Sequence, residues 1–328
     1  MNTLILTHAD VEQLLPMDEC VDVMAGALIA LAKGQAHQPL RMIMRPPDAA
    51  GLMGLMPAYR SGERAAFGLK AVCVFPGNTA RGLDAHQGAV MLFNAETGEP
   101  LTLLNASAVT AIRTAAVSAV ATNVLARQDA TDLAIVGAGV QARWHLAAMA
   151  AVRPIKRVRV ASRDFERARA FAAEMGFHVL APIDAVDSVE RAVEGADIVV
   201  TATTATEPVL KREWMSPGAH INAIGASAPT AREIDAATMA AASLFVDRRE
   251  STLNEAGDYL LAAREGVIGP EHIKAEIGEV LIGAKPGRTS GGEITLFKSV
   301  GLAVEDLAAA EHVYRKAKEF GVGTWVEF

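Results

Sequence analysis

Three cationic side chains interrupt apolar stretches in the N-terminal part of the sequence. Lys70 lies in FGLKAVCVF, Arg41 in PLRMIM and Arg113 in AIRTAAV. A lysine within such a strand either faces water from a sheet edge or is buried beside an anion, because an unpaired buried charge is costly. A guanidinium binds a carboxylate through two parallel hydrogen bonds. Together the three cations predict a site for a small molecule that carries a carboxylate, with an edge strand as the alternative for Lys70.

A glycine-rich turn follows the strand-like segment DLAIVG (132–137). The turn, GAGVQA (137–142), fits G-x-G-x-x-A and precedes a helix-like segment. In dinucleotide-binding folds Gly137 would permit the tight turn, Gly139 would let the backbone approach a pyrophosphate, and Ala142 would let the helix pack closely on the strand. We therefore predict a dinucleotide site here, against the alternative of an ordinary tight turn in an α/β protein.

The end of the next strand-like segment, RVRVA (157–161), bears on the choice of cofactor. It continues as Ser162-Arg163-Asp164. NAD sites carry an acid at this end for the ribose 2′-hydroxyl, whereas NADP sites favour arginine for the 2′-phosphate. Ser162 and Arg163 favour NADP(H), with NAD(H) possible. In the alternative, Arg163 is a solvated residue at a helix start and Asp164 binds the ribose.

Other polar residues carry weaker signals. His86, in DAHQGAV, is either a cofactor or proton contact or a structural hydrogen-bonding group. Glu255 and Asp258, in LNEAGDY, are candidate acids, or residues of a capped or solvated helix. No group of residues has the spacing of metal ligands, so we expect no metal.

Composition narrows the class of protein. The 328 residues suffice for about two domains. A formal net charge of −7 argues against nucleic acid and against a polybasic membrane surface. Two cysteines are too few for a disulfide framework. We expect a cytoplasmic protein whose partner is a small molecule, with no nucleic acid and no membrane.

The order of apolar segments predicts two domains. Residues 1–36 have a helical pattern, strand-like segments follow, and residues 106–126 read as a long helix. From residue 130, short apolar strands, among them HVLA (178–181), alternate with helices, as in parallel βαβ units. We predict an α/β protein with a Rossmann-type doubly wound parallel sheet over 126–299. A discontinuous α+β substrate-binding and dimerisation domain would comprise 1–125 with 300–328.

At these residues the chain resembles the ornithine cyclodeaminase/μ-crystallin family, nearly from end to end. The motifs that carry the resemblance are QPLR (38–41), GLMPAY (54–59), GLK (68–70), HQGAVMLF (86–93), IRTAAVSAVAT (112–122), GAGVQA (137–142), PGAHINAIGAS (217–227) and GRTSGGEITLFKSVG (287–301). The resemblance implies an NAD(P)-dependent enzyme, typically a homodimer whose first-domain strands form the dimer interface, with the active site between the domains.

The resemblance also assigns roles to residues. Arg41, Lys70 and Arg113 would hold the substrate carboxylate. The implied cofactor contacts are His86, Thr114, Gly139, Val140, Gln141, Ser162, Arg163, Thr201, Ser227 and Phe297.

One position departs from the cyclodeaminases of the family. They carry aspartate where this chain has Ser227, and serine is not an anionic partner or a base without activation. We therefore expect NAD(P)H-dependent reduction of a cyclic 2-imino acid, such as 1-pyrroline-2-carboxylate or 1-piperideine-2-carboxylate, to the L-amino acid. The alternatives are an ornithine cyclodeaminase, an alanine-dehydrogenase-like enzyme, and a non-catalytic protein that binds NADP or a small ligand.

Overall fold

The computed structural model describes residues 2–327, apart from the side chain of Thr79. Its contacts divide the chain into two compact units. Unit 1 comprises Met1–Thr114 and Leu302–Phe328, and unit 2 comprises Ala115–Gly301. The division falls inside the long helix 106–125.

The regular elements are numbered in chain order. The strands are β1 (Asn2–Leu6), β2 (Ala36–His37), β3 (Met42–Met44), β4 (Leu52–Arg60), β5 (Ala66–Val74), β6 (His86–Asn94), β7 (Pro100–Asn105), β8 (Asp132–Val136), β9 (Arg157–Ala161), β10 (Ile183–Val186), β11 (Ile198–Thr201), β12 (His220–Ala223), β13 (Ser243–Val246), β14 (Ile273–Glu276), β15 (Thr295–Lys298) and β16 (Thr324–Glu327). The helices are α1 (His8–Leu14), α2 (Met17–Ala32), α3 (Ala106–Leu125), α4 (Val140–Val152), α5 (Phe165–Met175), α6 (Val189–Val193), α7 (Ala236–Ala241), α8 (Arg249–Glu255), α9 (Gly257–Arg264), α10 (Ile277–Leu281) and α11 (Ala303–Phe320).

Unit 1 contains an eight-stranded sheet in the order β16-β1-β7-β6-β5-β4-β2, with β3 paired to β4. All pairs are antiparallel except β1 with β7. The prediction of a helical pattern over residues 1–36 is wrong for residues 2–6, which form β1, while Met1 lies outside the described residues. Leu4 and Leu6 of β1 are buried, so pairing with β7 and β16 outweighs the local periodicity.

The two faces of this sheet have different surroundings. On one face Met56, Lys70, Val90 and Leu104 lie opposite one another on β4, β5, β6 and β7, and all four are buried. Helix α11 packs on this face so closely that a Cβ at Gly68 would lie 2.9 Å from the Leu307 Cδ1 atom. Lys70 is therefore the one charged member of a buried row.

The opposite face of the unit 1 sheet is apolar and incompletely covered. Pro57, Leu69, Met91, Leu103 and Ile5 lie side by side across β4, β5, β6, β7 and β1. Pro57 is exposed and the other four are half-buried. Apolar side chains are thus contiguous across five strands, which is uncommon on a surface that faces only water.

Unit 2 contains a second eight-stranded sheet, in the order β10-β9-β8-β11-β12-β15-β13-β14. Every pair in it is parallel. The strand order reverses between β8 and β11, where doubly wound folds bind nucleotides. The predicted Rossmann-type α/β fold is confirmed. The predicted strand at 178–181 is wrong: the strand is Ile183–Val186, and Leu180 is fully exposed.

Helix α3 is long and strongly apolar. By length and composition it is the one helix in residues 2–327 that could cross a membrane, with a mean hydropathy of 1.4. However, 83% of that window is buried inside the protein, and core helices of soluble proteins pass the same test.

Candidate functional site

A buried group of opposite charges lies between β5, α3 and α11 of unit 1. The Asp306 carboxylate contacts two cations: its Oδ2 lies 2.6 Å from Lys70 Nζ, and its Oδ1 accepts a hydrogen bond from Arg113 Nε at 3.0 Å. Arg113 Nη1 also donates to Glu305 Oε2 at 2.7 Å. These residues, together with Arg41, are called the charge cluster below. Lys70, Arg113, Glu305 and Asp306 are almost completely buried.

The start of α11 fixes the two carboxylates. Glu305 and Asp306 lie in its first turn, where negative charge interacts favourably with the helix dipole. The Leu302 N–H donates to Glu305 Oε2 at 3.0 Å. The Val304 N–H donates to Gln38 Oε1 at 2.9 Å, which attaches the segment leading to Arg41 to the same helix end. A backbone contact thus holds Glu305 in place, and Asp306 is held by the side chains of Lys70 and Arg113.

Burial and charge oppose each other at Lys70. Burial is the largest effect and lowers the pKa of Lys70 from 10.5 to about 8, with further lowering by Arg113 and Arg41 and opposition from Asp306. Burial alone would raise the pKa of Asp306, but Arg113 and Lys70 together lower it below its usual range. At neutral pH both partners are therefore charged. The edge-strand alternative for Lys70 is wrong, because β5 lies between β4 and β6.

His86 and Thr114 lie in the same unit as the charge cluster. His86 begins β6 and is exposed to solvent, but the protein atoms packed around its ring, together with the charges of Lys70 and Arg113, lower its pKa, so its imidazole is neutral at physiological pH. Thr114 follows Arg113 on α3 and is buried. Arg41 is half-buried, and its charge acts on Lys70.

The charge cluster combines three cations with two acids. Its three cations are Arg41, Lys70 and Arg113, and its two anions are Glu305 and Asp306. Three neighbouring cations in surroundings of low dielectric favour a bound carboxylate.

The glycine turn of unit 2 has the geometry that a pyrophosphate requires. Gly137 has φ +114°, and a Cβ there would lie 2.4 Å from the Ala202 carbonyl oxygen, so the turn demands glycine. A Cβ at Gly139 would meet nothing within 4 Å, which leaves open space beside the start of α4. Helix α4 has no side-chain cap and no acid in its first turn. The residues present therefore fit a dinucleotide pyrophosphate.

Two further predicted cofactor contacts, Val140 and Gln141, are the first two residues of α4. Val140 is its first residue and is exposed. Gln141 is half-buried, and its carbonyl oxygen accepts a hydrogen bond from His145 Nδ1 at 2.7 Å. His145 Nε2 in turn lies 2.9 Å from Ser118 Oγ. Burial lowers the pKa of His145 to about 4, so a neutral imidazole links α4 to α3 within unit 2.

Ser162, Arg163 and Asp164 follow β9 directly. Asp164 is the N-cap of α5 and accepts the Glu166 N–H at 3.0 Å, so its carboxylate is engaged locally. Arg163 is exposed and has no ion-pair or hydrogen-bond partner among residues 2–327. Ser162 is half-buried. Arg163 is therefore accessible to a ligand, whereas the Asp164 carboxylate already accepts the Glu166 N–H.

A buried glutamate joins the loops that follow β11 and β12. Glu233 accepts hydrogen bonds from Thr201 Oγ1 at 2.9 Å, from Thr203 N at 2.7 Å and from Gly225 N at 2.6 Å. Burial and the Asp258 carboxylate raise the pKa of Glu233. Ser227 is exposed on the loop that follows β12. Glu233 thus connects the end of β11, which carries the predicted contact Thr201, to the loop after β12, which carries the predicted contact Ser227.

Asp258, a candidate acid in the sequence, has a structural role in unit 2. Its Oδ1 accepts the N–H groups of Glu233 and Ile234 at 2.7 and 2.9 Å, and its Oδ2 pairs with Lys298 Nζ at 2.9 Å. Both members of the ion pair are fully buried. Phe297, a predicted cofactor contact, precedes Lys298 on β15 and is also fully buried.

Sequence reasoning missed three acids, Glu233, Glu305 and Asp306. Glu305 and Asp306 were detectable as adjacent acids in the apolar run GLAVEDLAAAEHV, a setting like that of the three cations. Glu233 has no comparable signal, since REID resembles an ordinary loop sequence. Within unit 1 the structure brings Lys70, Arg113 and Arg41 together, and within unit 2 it places the glycine turn, Ser162, Arg163 and Thr201 at the carboxyl ends of parallel strands.

Comparison of the sequence with known proteins identifies its family and several relatives. The pattern of the ornithine cyclodeaminase/mu-crystallin family matches residues 1–321. The chain is 42% identical to the ketimine reductase mu-crystallin of Mus musculus over 86% of this chain and 85% of that protein. It is 39% identical to a Delta(1)-pyrroline-2-carboxylate reductase of Bacillus cereus over 99% of this chain and 100% of that protein.

Solved structures with the same architecture include two enzymes with nicotinamide cofactors. One is the Delta(1)-pyrroline-2-carboxylate reductase of Thermococcus litoralis in complex with NADH and L-proline, with 42% identity, a TM-score of 0.95, and coverage of 98% of this chain and 99% of that chain. The other is an archaeal alanine dehydrogenase dimer with bound NAD, with 36% identity, a TM-score of 0.93 and full coverage of both chains. The chain belongs to the ornithine cyclodeaminase/mu-crystallin family.

Proposed function

We propose that this protein is an NAD(P)H-dependent reductase of cyclic 2-imino acids, which converts 1-pyrroline-2-carboxylate or 1-piperideine-2-carboxylate to the L-amino acid. The observation that carries the proposal is that the structure brings Arg41, Lys70 and Arg113 together in unit 1, with Asp306 in contact with both Lys70 and Arg113. Similar proteins, among them the Thermococcus litoralis reductase that binds NADH and L-proline, support the same reaction.

The substrate carboxylate is the part of the molecule that unit 1 would recognise. Arg41, Lys70 and Arg113 would fix it and thereby orient the prochiral carbon, which is worth several kcal/mol in a well-aligned site. Glu305 and Asp306 hold Arg113 and Lys70 before substrate arrives, so little reorganisation accompanies binding. His86 and Thr114, in the same unit, are the proposed contacts of unit 1 to the cofactor.

The dinucleotide would bind to unit 2 at the glycine turn. When bound, the nicotinamide supplies a hydride to the C=N carbon. The proposed contacts are Gly137, Gly139, Val140, Gln141, Ser162, Arg163, Thr201, Ser227 and Phe297. Arg163, exposed and without a partner in the described part of the chain, supports NADP(H) as the preferred cofactor.

Ser227 is the reason to favour reduction over cyclodeamination. A serine on an exposed loop, with no base in contact with its side chain among residues 2–327, does not supply the anionic partner that a substrate δ-amine requires. The second candidate is an alanine-dehydrogenase-like reaction on an open-chain 2-imino acid. Its support is the 36% identity to the archaeal alanine dehydrogenase over the full length of both chains.

We also propose that the protein is a cytoplasmic homodimer formed through the sheet of unit 1. The apolar row from Pro57 to Ile5 is the surface that a second copy would cover, and the similar archaeal enzyme is a dimer. Both cysteines, Cys20 and Cys73, are free thiols, which supports a reducing compartment.

A substrate panel tests the proposal. Purified protein is mixed with NADPH or NADH and with cyclic imines, with pyruvate plus ammonia, or with L-ornithine. Oxidation of the reduced cofactor by a cyclic imine is the expected result. Oxidation only with pyruvate plus ammonia favours the second candidate, and ammonia release from ornithine without net cofactor change contradicts both.

A further inference from the structure

The two carboxylates of the charge cluster have different partners. Asp306 contacts both Lys70 and Arg113, whereas Glu305 contacts Arg113 and the Leu302 N–H. Within residues 2–327, Asp306 is the one carboxylate within 4.0 Å of Lys70 Nζ. The charge state of Lys70 therefore depends on Asp306 more than on Glu305.

The geometry leaves one donor of the Lys70 ammonium available. An ammonium carries three N–H groups. Asp306 Oδ2 lies 2.6 Å from Nζ and Thr110 Oγ1 lies 3.4 Å from it, and no other acceptor among residues 2–327 contacts Nζ. Because Asp306 also binds Arg113, it holds the ammonium and the guanidinium at one place.

The groups that face Lys70 come from four elements. They are Asp306 on α11, Arg113 on α3, Arg41 before β3 and His86 on β6. Arg41 and Arg113 disfavour a protonated Lys70, and His86 is neutral because its pKa is lowered. Asp306 is thus the group that opposes burial and the two arginines.

We propose that Asp306 is a positioning residue for the reduction: it fixes the Lys70 ammonium so that Nζ protonates the substrate nitrogen, and its negative charge keeps Lys70 protonated. This inference rests on the proposed reductase activity. A neutral imine accepts a hydride at carbon while its C=N π electrons move to nitrogen, which takes the proton from Lys70. Lys70 is left as a neutral amine and regains a proton from water. In the oxidation of the amino acid, the neutral Lys70 amine accepts that proton.

The test compares the pH profiles of wild type and Asp306→Asn in both directions. Reduction requires protonated Lys70, so kcat/KM for reduction falls at alkaline pH. Oxidation requires neutral Lys70, so kcat/KM for oxidation falls at acidic pH. These two declines are called the reduction limb and the oxidation limb. Loss of the Asp306 charge should move both limbs to lower pH by about one to three units, the usual effect of one nearby opposite charge. At one pH unit above the midpoint of the wild-type reduction limb, kcat/KM of Asp306→Asn should be about tenfold lower than that of a variant whose activity is reduced equally at every pH.

Glu305→Gln is the matched control. It removes an equally buried carboxylate that contacts Arg113 but not Lys70. We expect a higher KM for the imine, since Arg113 loses a partner, and limbs that move by less than those of Asp306→Asn. Equal displacement of the limbs in both variants, or unmoved limbs in Asp306→Asn, overturns the role of Asp306.

Two outcomes separate this inference from the proposed function. A wild type that oxidises neither NADPH nor NADH with any imino acid overturns the proposed function and this inference with it. An active wild type with unmoved limbs in Asp306→Asn overturns the inference alone. If Asp306→Asn does not fold, as judged by circular dichroism, the pH profiles of the wild type test the inference. Its reduction and oxidation limbs should have the same midpoint pH, and different midpoints overturn the inference.

Discussion

Lys70 Nζ lies 2.6 Å from Asp306 Oδ2, with 3% and 1% of the two side chains exposed. The lysine comes from a central strand, β5, and the aspartate from the first turn of α11, 236 positions later in the chain. The pair joins the two sequence segments of unit 1. It also places an ammonium group in a buried row of the sheet that is otherwise apolar.

This pair predicts an unusual dependence of stability on pH. The pKa of Lys70 is lowered from 10.5 to about 8 in the folded protein. Between these values the unfolded chain binds more protons than the folded one, so the contribution of Lys70 to the free energy of unfolding rises with pH, by about 3 kcal/mol in all. The penalty of burying the charged lysine is fully present below pH 8 and is relieved above it.

Urea unfolding of wild type and Lys70→Met at pH 8, 9 and 10 measures this contribution. Other groups titrate in the same range, so the difference between the two proteins is the relevant quantity. It should grow in favour of the wild type as pH rises. Lys33→Met, at an exposed lysine of the same unit, should show a difference that is independent of pH. A pH-independent difference for Lys70→Met would contradict the lowered pKa.

The two glycines of the nucleotide turn should respond differently to alanine. Gly137→Ala creates a clash with the Ala202 carbonyl oxygen and strains a backbone at φ +114°, so it should destabilise the apo protein by about 1–3 kcal/mol. Gly139→Ala enters open space, and its cost in stability should be at most about 1 kcal/mol.

Calorimetric titration with NADPH completes this comparison. Gly139→Ala should weaken binding by about tenfold or more, equivalent to about 1.4 kcal/mol, because the new methyl group occupies the space that a pyrophosphate needs. Undiminished NADPH affinity in Gly139→Ala would show that the dinucleotide does not approach this turn.

Arg163 should select between the two nicotinamide dinucleotides. Arg163→Leu removes a guanidinium that has no partner in residues 2–327, so stability should hardly change. The Kd for NADPH should rise about tenfold with loss of a charge-assisted contact to the 2′-phosphate, and the Kd for NADH should stay the same. Arg167→Leu, at an exposed arginine on α5, is the control. A parallel loss of both affinities would remove the 2′-phosphate argument.

The apolar face of unit 1 should be the dimer contact. Leu69→Asp places a charge in the middle of the row from Pro57 to Ile5, and burial of that charge in an interface would be costly. Light scattering should show a dimer for wild type and a monomer for Leu69→Asp. Leu180→Asp, at a fully exposed leucine of unit 2, should remain dimeric. A dimeric Leu69→Asp would place the contact elsewhere.

Local sequence signals were sufficient to predict much of the fold. Alternation of apolar strands and amphipathic helices after residue 130 predicted the parallel sheet, and a glycine at φ +114° confirms the tight turn that GAGVQA implied. Residues 178–181 were misread as a strand although Leu180 is fully exposed, because apolar composition alone does not distinguish a buried strand from a loop. Residues 2–6 were misread because β1 owes its conformation to strand partners distant in sequence.

The sequence indicated the cations of the site but not its acids. The cations stood out because each interrupts an apolar segment, and an anion was one of the two alternatives for Lys70. The identity of that anion, Asp306, depends on which helix packs on the sheet of unit 1, and no local pattern encodes this. Glu233 could not be identified for the same reason, since its three hydrogen-bond donors belong to the end of β11 and to the loops after β11 and β12, which only the folded sheet brings together.

Product stoichiometry tests the central claim most directly. Wild-type protein is incubated with NADPH and 1-pyrroline-2-carboxylate, and the proline formed is compared with the NADPH consumed. The proposed reductase predicts equal amounts of L-proline and oxidised cofactor, and no formation of proline when NADPH is omitted. Proline and ammonia formed from L-ornithine without net change in the cofactor, together with no reduction of the imine, would contradict it.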